Sequence, residues 1–363
     1  MEQKTRWKLF TYFPPLLFIY AIPMVMSSLG VLAHEGPVYD WMSSTVLPFM
    51  LAIMLLKVDI KTAIQVMGKG ILVMLCGTAG VILGAPLAYL VVRNHLDPGA
   101  WKAFGTLAGS WIGGTGNMAA VSAGIEATGT DFGLAVLADN CVYLVWIPLL
   151  LSCRLCADRF NRFVRVSPQR LRMLEQISDS PDAIPAKPNM QQLLYLICIG
   201  LGITLAAQWI STQIPEYRPV FTQSSYRILL VTTLGLLASL TPAKKLVPSH
   251  ELAMALVSLF VASMGARANL SGLQDQALWF LLGAFIWITV HGLFCVLGAW
   301  LFHVDIHSTA IASAANIGGA ASAPVVAAHH NPRLVPVSIL MALIGYAVGN
   351  YGAYLAVLLC QWI

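Results

Sequence analysis

Apolar residues occur along the chain in long runs, separated by stretches that contain charged residues, glycine or proline. Nine of these runs approach the roughly 20 residues that an α-helix needs to cross a bilayer. They cover residues 16–33, 43–58, 70–93, 132–153, 190–210, 226–242, 252–268, 276–302 and 334–362. The pattern predicts an all-α polytopic membrane protein with about nine spanning helices.

Two further apolar segments, residues 102–126 and 306–330, are too rich in Gly, Ser, Thr and Asn for ordinary lipid-facing helices. Each contains an Ile-Gly-Gly motif, and the second motif follows the first by 205 positions. Corresponding glycine-rich interruptions in two halves of a membrane protein are typical of a transporter's binding site. We therefore expect two repeats that each contain one discontinuous helix.

The expected domains are a first repeat over residues 1–153, a basic cytoplasmic linker with a connecting helix over 154–225, and a second repeat over 226–363. Cytoplasmic loops carry an excess of Lys and Arg. If both glycine-rich elements cross the membrane, the 21 basic residues divide 10 to 11 between its two sides. If both are re-entrant and the N-terminus is cytoplasmic, 16 of the 21 lie on the cytoplasmic side. The count favours re-entrant hairpins and repeats of inverted topology.

Composition supports a multi-pass protein of a plasma membrane or a bacterial inner membrane. The chain is 58% hydrophobic and only 10% charged, with a mean hydropathy of +0.75, whereas soluble domains are about a quarter charged. The net charge of +5 follows from basic loops, so we expect no nucleic-acid partner. The basic start and the long apolar run after it favour a retained first helix over a signal peptide.

Candidate substrate-binding residues lie at the two glycine-rich tips. An interrupted helix exposes amide groups at one broken end and carbonyl groups at the other, so the backbone alone can hold anions and cations. The alternative is a stripe of small residues that only packs helices together. The candidates are Gly113, Gly114, Thr115, Gly116 and Asn117 in the first element, and Asn316, Gly318, Gly319 and Ser322 in the second.

Asp139 is the candidate ion-coupling residue, with Asn140 beside it. It lies seven residues into an apolar run, and a carboxylate at such depth costs about 3 kcal/mol on insertion scales. Buried acids of this kind face the bundle interior and mark ion or proton paths, although a purely structural acid is the alternative. Tyr346 and Asn350 could complete a polar cavity. His291, also within a span, is interpreted as a packing residue with satisfied hydrogen bonds.

Three features of the chain resemble the membrane-protein family called domain of unknown function 819. They are the two glycine-rich segments, the segment Leu55-Leu56-Lys57-Val58-Asp59 and the run Gly109-Ser110-Trp111-Ile112-Gly113-Gly114. That family is grouped with the cation/proton antiporter and anion transporter superfamily. The resemblance implies inverted repeats around interrupted helices. More loosely, Gly113-Gly114-Thr115-Gly116 is similar to the Gly-Gly-x-Gly tips of bacterial sodium-coupled citrate and glutamate symporters. The second tip departs from that pattern at Ala320-Ala321.

These observations predict a secondary active transporter, coupled to Na⁺ or H⁺, that moves a small organic anion or amino acid by alternating access. An ion channel and a non-transporting membrane sensor remain alternatives. No phosphate-binding loop, zinc-protease motif or nucleophile elbow is present in the sequence, so we do not expect an enzyme. The expected partners are a small-molecule substrate and the lipid bilayer, with a homodimer left open. We expect no cofactor beyond the coupling ion.

Overall fold

The computed structural model describes residues 15–59, 68–167, 189–246, 249–268 and 270–363, and its regular elements are helices. We number the thirteen main helices in chain order. They are α1 Pro15–Ser28, α2 Pro37–Leu55, α3 Gly70–Val92, α4 Trp101–Gly124, α5 Gly129–Ser152, α6 Ala157–Phe163, α7 Met190–Ser211, α8 Gln223–Ser239, α9 Ser249–Ala266, α10 Leu270–Phe302, α11 Ile306–Ile317, α12 Gly319–His330 and α13 Val335–Gln361.

Six helices in the described part of the chain are long and apolar enough to cross a membrane: α2, α3, α5, α7, α10 and α13. The prediction of an all-α polytopic membrane protein is therefore confirmed. The other three predicted spans correspond to the shorter helices α1, α8 and α9. The linker contains α6, whereas its residues 168–188 lie outside the described residues.

Local chemistry explains where several helices begin and end. The predicted span 16–33 stops at Ser28 because Gly30 adopts a φ of +76° and the amide of Val31 donates to the carbonyl of Met26. Thr128 begins α5 with a capping box, in which its hydroxyl and the Asp131 carboxylate each bond the other residue's amide. These caps satisfy amide and carbonyl groups that a helix end leaves without partners.

The helices pack in two groups, and each group draws on both halves of the chain. In the first group, α1 packs against α9, and α2 contacts α7, α8 and α9. In the second, α3 packs along α10 and α4 packs along α13. The order of elements is also similar in the two halves: two helices, a long helix, a glycine-broken element and another long helix. The two glycine-broken elements lie in the second group.

Glycine allows α3 and α10 to approach closely. A Cβ atom added at Gly84 would lie 2.5 Å from Cδ1 of Trp287, and one added at Gly80 would lie 2.6 Å from Cβ of Phe294. The Trp287 indole donates to the carbonyl of Val81 at 2.7 Å. Small residues at a helix contact are typical of packing in lipid, where backbone proximity supplies the contact energy.

Candidate functional site

The first glycine-rich element is a hairpin, which we call hairpin 1 and which comprises α4. Gly114 interrupts the helix with φ 73° and ψ −176°, a conformation accessible essentially only to glycine. Lys102 Nζ donates to the carbonyl of Glu126 at 2.9 Å, although a straight helix would separate these residues by about 36 Å. A Cβ at Gly109 would lie 2.8 Å from the carbonyl oxygen of Asn117. The two arms therefore fold back on each other in backbone contact.

The second element, hairpin 2, comprises α11 and α12. Its arms are separated at Gly318, and Gly319 adopts a φ of +56°. At the open end, the Nδ1 atoms of His307 and His330 are 2.9 Å apart. Near the tip, the Ser322 hydroxyl donates to the carbonyl of Ala314 at 3.4 Å. In both hairpins the glycine with a positive φ is thus the second of a Gly-Gly pair.

The tips of the two hairpins meet. A Cβ at Gly319 would lie 3.7 Å from Cα of Gly114, so these two backbone positions are neighbours. Cε1 of Tyr346, on α13, would lie 3.3 Å from a Cβ at Gly114 and 3.8 Å from one at Gly319. From the sequence, Tyr346 is assigned to a polar cavity only because it lies deep within an apolar run. In the structure this side chain contacts both breaks, and it is 5% exposed.

Each hairpin places a polar side chain over the first glycine of its pair. Asn117 packs against Gly113, and Ser322 packs against Gly318, in each case four residues later in the chain. Both polar side chains are fully buried, whereas Thr115 and Gly318 at the tips are partly exposed. Thr115 is therefore the predicted side chain with direct access to the space beside the tips.

Asn316 lies in hairpin 2 but is engaged elsewhere. Its Nδ2 atom donates to the carbonyl of Met74 at 3.0 Å, and its Oδ1 accepts from the Thr78 hydroxyl at 3.4 Å. Both partners belong to α3, so the Asn316 amide anchors hairpin 2 to that helix. Gly116 faces Met54 of α2, because a Cβ at this position would lie 2.6 Å from the Met54 sulfur. Both residues contribute to how the hairpins are held.

Asp139 is bound to hairpin 1. Its Oδ1 accepts from the Trp111 indole at 2.8 Å and its Oδ2 accepts from the Ser110 hydroxyl at 3.1 Å. Within the described part of the chain, no Lys or Arg forms an ion pair with it. Asn140 points differently, since its Nδ2 donates to the carbonyl of Val136 in its own helix at 2.7 Å. The carboxylate is thus held by hydrogen-bond donors alone.

Helix α5 contacts both hairpins. One turn after Asp139, Cε2 of Tyr143 would lie 3.3 Å from a Cβ at Gly318. The Trp146 indole donates to the hydroxyl of Ser313 in hairpin 2 at 3.0 Å. The sequence assigned no role to Tyr143, Trp146 or Ser313, because an apolar run indicates depth and not which partner a side chain faces.

His291 is a satisfied packing residue, as the sequence predicted. It is fully buried, its Nδ1 lies 2.9 Å from the carbonyl of Gly77, and its Nε2 lies 2.9 Å from the Ser313 hydroxyl. The Gly77 carbonyl can only accept, so Nδ1 donates to it, and Nε2 of the neutral ring accepts the proton of the Ser313 hydroxyl, whose oxygen accepts from Trp146. In the described residues, no group of three or more His, Cys, Asp or Glu side chains is arranged to hold a metal ion.

The family of unknown function designated DUF819 matches residues 1–363. The chain belongs to the DUF819 family. A protein of Bacillus subtilis (strain 168), named "Uncharacterized membrane protein YjcL", is 27% identical to this DUF819 chain over 367 residues. The match covers 97% of this chain and 90% of that protein. The name of that relative and the apolar helices of this chain agree on a membrane protein.

Proposed function

We propose that this protein is a secondary active transporter that couples the movement of Na⁺ or H⁺ to that of a small organic anion or amino acid. The observation that carries the proposal is the meeting of two glycine-broken hairpins beside Tyr346. At each break, the last carbonyl groups of the first arm have no hydrogen-bond partner within the helix. The first amide groups of the second arm also have none. The hairpins are re-entrant in this proposal, because the ends of each lie side by side.

The substrate binds beside the tips. The arms that begin at Thr115 and Gly319 direct their amide ends, each with about half a positive charge, toward this region. A carboxylate group complements those amides, as in other anion sites at helix N-termini. Thr115, which is partly exposed, adds a hydroxyl group. This arrangement favours a small anion or a zwitterion over a cationic substrate.

Asp139 connects the substrate to the ion. The carboxylate has two donors and no cationic partner among the described residues, so its charge is incompletely compensated. A proton or Na⁺ bound there completes that compensation. The Ser110 hydroxyl can also accept from a protonated carboxyl group, which the Trp111 indole cannot do. Because Ser110 belongs to hairpin 1, a change at Asp139 is transmitted directly to one wall of the substrate site.

The mobile unit of this transporter is the second group of helices, which holds both hairpins, together with α5, which carries Asp139, and the first group forms the scaffold. A channel with two pore loops is the alternative, and it requires a continuous wet path past the tips. The complete burial of Asn117 and Ser322 argues against such a path. A sensor is the second alternative, and it binds a ligand without flux.

Uptake by proteoliposomes tests the proposal. Small carboxylates, amino acids and sugar acids are first screened for thermal stabilisation of the purified protein, with and without Na⁺ and at two pH values. A stabilising compound is then supplied radiolabelled, with an imposed Na⁺ or proton gradient. We expect gradient-driven accumulation by the wild-type protein and loss of gradient dependence in Asp139→Asn. Full ion-driven uptake by that variant would remove the role given to Asp139.

A further inference from the structure

A buried polar seam begins at the tip of hairpin 1 and lies between that hairpin, α8 and α13. We define it by three side chains: Asn117, Thr232 and Asn350. All three are fully buried. Two of their polar atoms have no hydrogen-bond partner in the described structure, namely Asn117 Oδ1 and Asn350 Oδ1. Buried polar atoms are rarely left without partners, so a bound water or ion is the usual explanation.

The orientation of the Asn117 amide follows from its partner. Its Nδ2 atom lies 3.1 Å from the carbonyl oxygen of Tyr346, which can only accept a hydrogen bond. The nitrogen must therefore face Tyr346, and the Oδ1 atom is directed elsewhere. Since Tyr346 lies one helical turn before Asn350, this amide lies beside the turn of α13 that carries the second asparagine.

The orientation of the Asn350 amide is fixed in the same way. Its partner, the Thr232 hydroxyl, lies 2.8 Å away and donates its own proton to the carbonyl of Ile228 at 2.7 Å. A hydroxyl has one proton, so Thr232 can only accept from Asn350. The Asn350 nitrogen therefore faces Thr232, and its Oδ1 remains free. Two asparagines on facing elements thus both use their donors in the protein and keep their carbonyl oxygens available.

The end of the first arm of hairpin 1 also faces α13. The carbonyl of Ile112 lies at the end of the first arm and faces α13, where a Cβ at Gly345 would lie 2.6 Å from it. This arm end carries the negative pole of a half-helix. The seam therefore holds two unpartnered amide oxygens on the face of hairpin 1 and α13 to which this negative pole is directed. Oxygen ligands are the preference of hard cations, and the absence of a carboxylate among the three seam residues favours a monovalent ion over a divalent one.

We propose that the seam binds a dehydrated Na⁺ ion through the Oδ1 atoms of Asn117 and Asn350. The site lies on the face of hairpin 1 that packs against α13, distinct from the Asp139 carboxylate. The ion's role in coupling rests on the proposed transport function, whereas its binding requires no transport. Because Thr232 belongs to α8, its hydrogen bond to Asn350 also joins the ion site to the scaffold.

Binding of ²²Na⁺ to the purified full-length protein in detergent tests the inference, with thermal stability in NaCl or choline chloride as a second readout. We expect saturable binding and a higher unfolding temperature in NaCl. Thr232→Val removes the acceptor that orients Asn350, and it should lower Na⁺ affinity about tenfold. Thr233→Val is the matched control, because Thr233 is on the same helix but exposed, with its hydroxyl on Tyr351. It should leave Na⁺ affinity unchanged.

Asn350→Asp gives a test of opposite sign. A carboxylate of the same size should tighten Na⁺ binding and make thermal stability depend strongly on Na⁺. In a seam that holds only water, the same charge would destabilise the protein equally in NaCl and choline chloride, which would overturn the inference. Absence of saturable ²²Na⁺ binding by the wild-type protein, or equal losses in Thr232→Val and Thr233→Val, would overturn it as well. If Thr232→Val does not fold, Asn350→Asp decides.

Failure of this inference is distinguishable from failure of the proposed function. Proton-driven uptake without ²²Na⁺ binding refutes the seam site and leaves the transporter intact. Saturable ²²Na⁺ binding that Thr232→Val weakens and Thr233→Val does not, in the absence of any solute flux, supports the seam site and refutes the transporter.

Discussion

Replacement of Gly349 by Ala tests the close packing between hairpin 1 and α13. A Cβ at this position would lie 2.8 Å from Cα of Gly113 and closer still to the Asn117 amide. Ordinary contacts of a Cβ atom begin at about 3.4 Å, so the two elements must separate or Asn117 must rotate. Rotation breaks its hydrogen bond to Tyr346 and leaves buried polar groups unpaired.

The expected magnitude follows from two opposing effects. Alanine is more favourable than glycine inside a helix by about 1 kcal/mol. Overpacking costs about 1–3 kcal/mol, and an unpaired buried group costs a further 1–3 kcal/mol or so. The net result is a destabilisation of about 1–5 kcal/mol. Gly202, in α7, is the matched control because nothing lies within 4 Å of an added Cβ there. Gly202→Ala should stabilise the protein slightly.

The assay is thermal unfolding of both variants in detergent, under identical conditions. We expect a lower unfolding temperature for Gly349→Ala and an equal or higher one for Gly202→Ala. If both substitutions raise the unfolding temperature, α13 does not pack on hairpin 1 as described, and the reasoning from the tips and the seam loses its basis.

Three further substitutions probe other contacts. The added methyl group of Gly319→Ala has no close neighbour, but the alanine must adopt a φ of +56°. We expect thermal unfolding to show a free energy of unfolding lower by about 1–2 kcal/mol, and a higher value would contradict the positive φ. His291→Leu removes the hydrogen-bond partners of the Gly77 carbonyl and the Ser313 hydroxyl, so the free energy of unfolding should fall by about 2–4 kcal/mol. A fall of less than about 0.5 kcal/mol would exclude this hydrogen-bond network. Lys244→Met breaks the 2.9 Å ion pair with Asp59. Because the pair is partly exposed, the free energy of unfolding should fall by only about 1 kcal/mol, and high salt should abolish the difference between wild type and variant.

The positions of the helix breaks could be predicted from the sequence. A Gly-Gly pair cannot easily continue a helix, and the positive φ values at Gly114 and Gly319 lie at equivalent places in the two motifs. Six of the nine spans predicted from hydropathy are also helices long and apolar enough to cross a membrane in the described part of the chain. Their ends were less accessible to prediction, as Gly30 shows, because a terminal glycine motif stops α1 before the apolar run ends.

The partners of the candidate side chains could not be predicted in the same way. Successive residues of a helix point about 100° apart, so the depth of a residue does not fix which neighbour it faces. Asn316 belongs to a tip by sequence, yet its amide bonds α3. Asn140 follows Asp139, yet its amide bonds its own helix. The contacts of Asp139 with Ser110 and Trp111 depend on how α5 rotates against hairpin 1, which is a property of the assembled fold.

Accessibility of Thr115 from the two sides of a membrane tests the central claim most directly. In a cysteine-free background, Thr115→Cys is exposed to a charged, membrane-impermeant thiol reagent from outside or inside reconstituted vesicles. Alternating access predicts reaction from either side, with a change in Na⁺ or pH raising one rate while lowering the other. Rates that rise together would indicate a channel, and reaction from one side only under every condition would contradict a transport site at the hairpin tips.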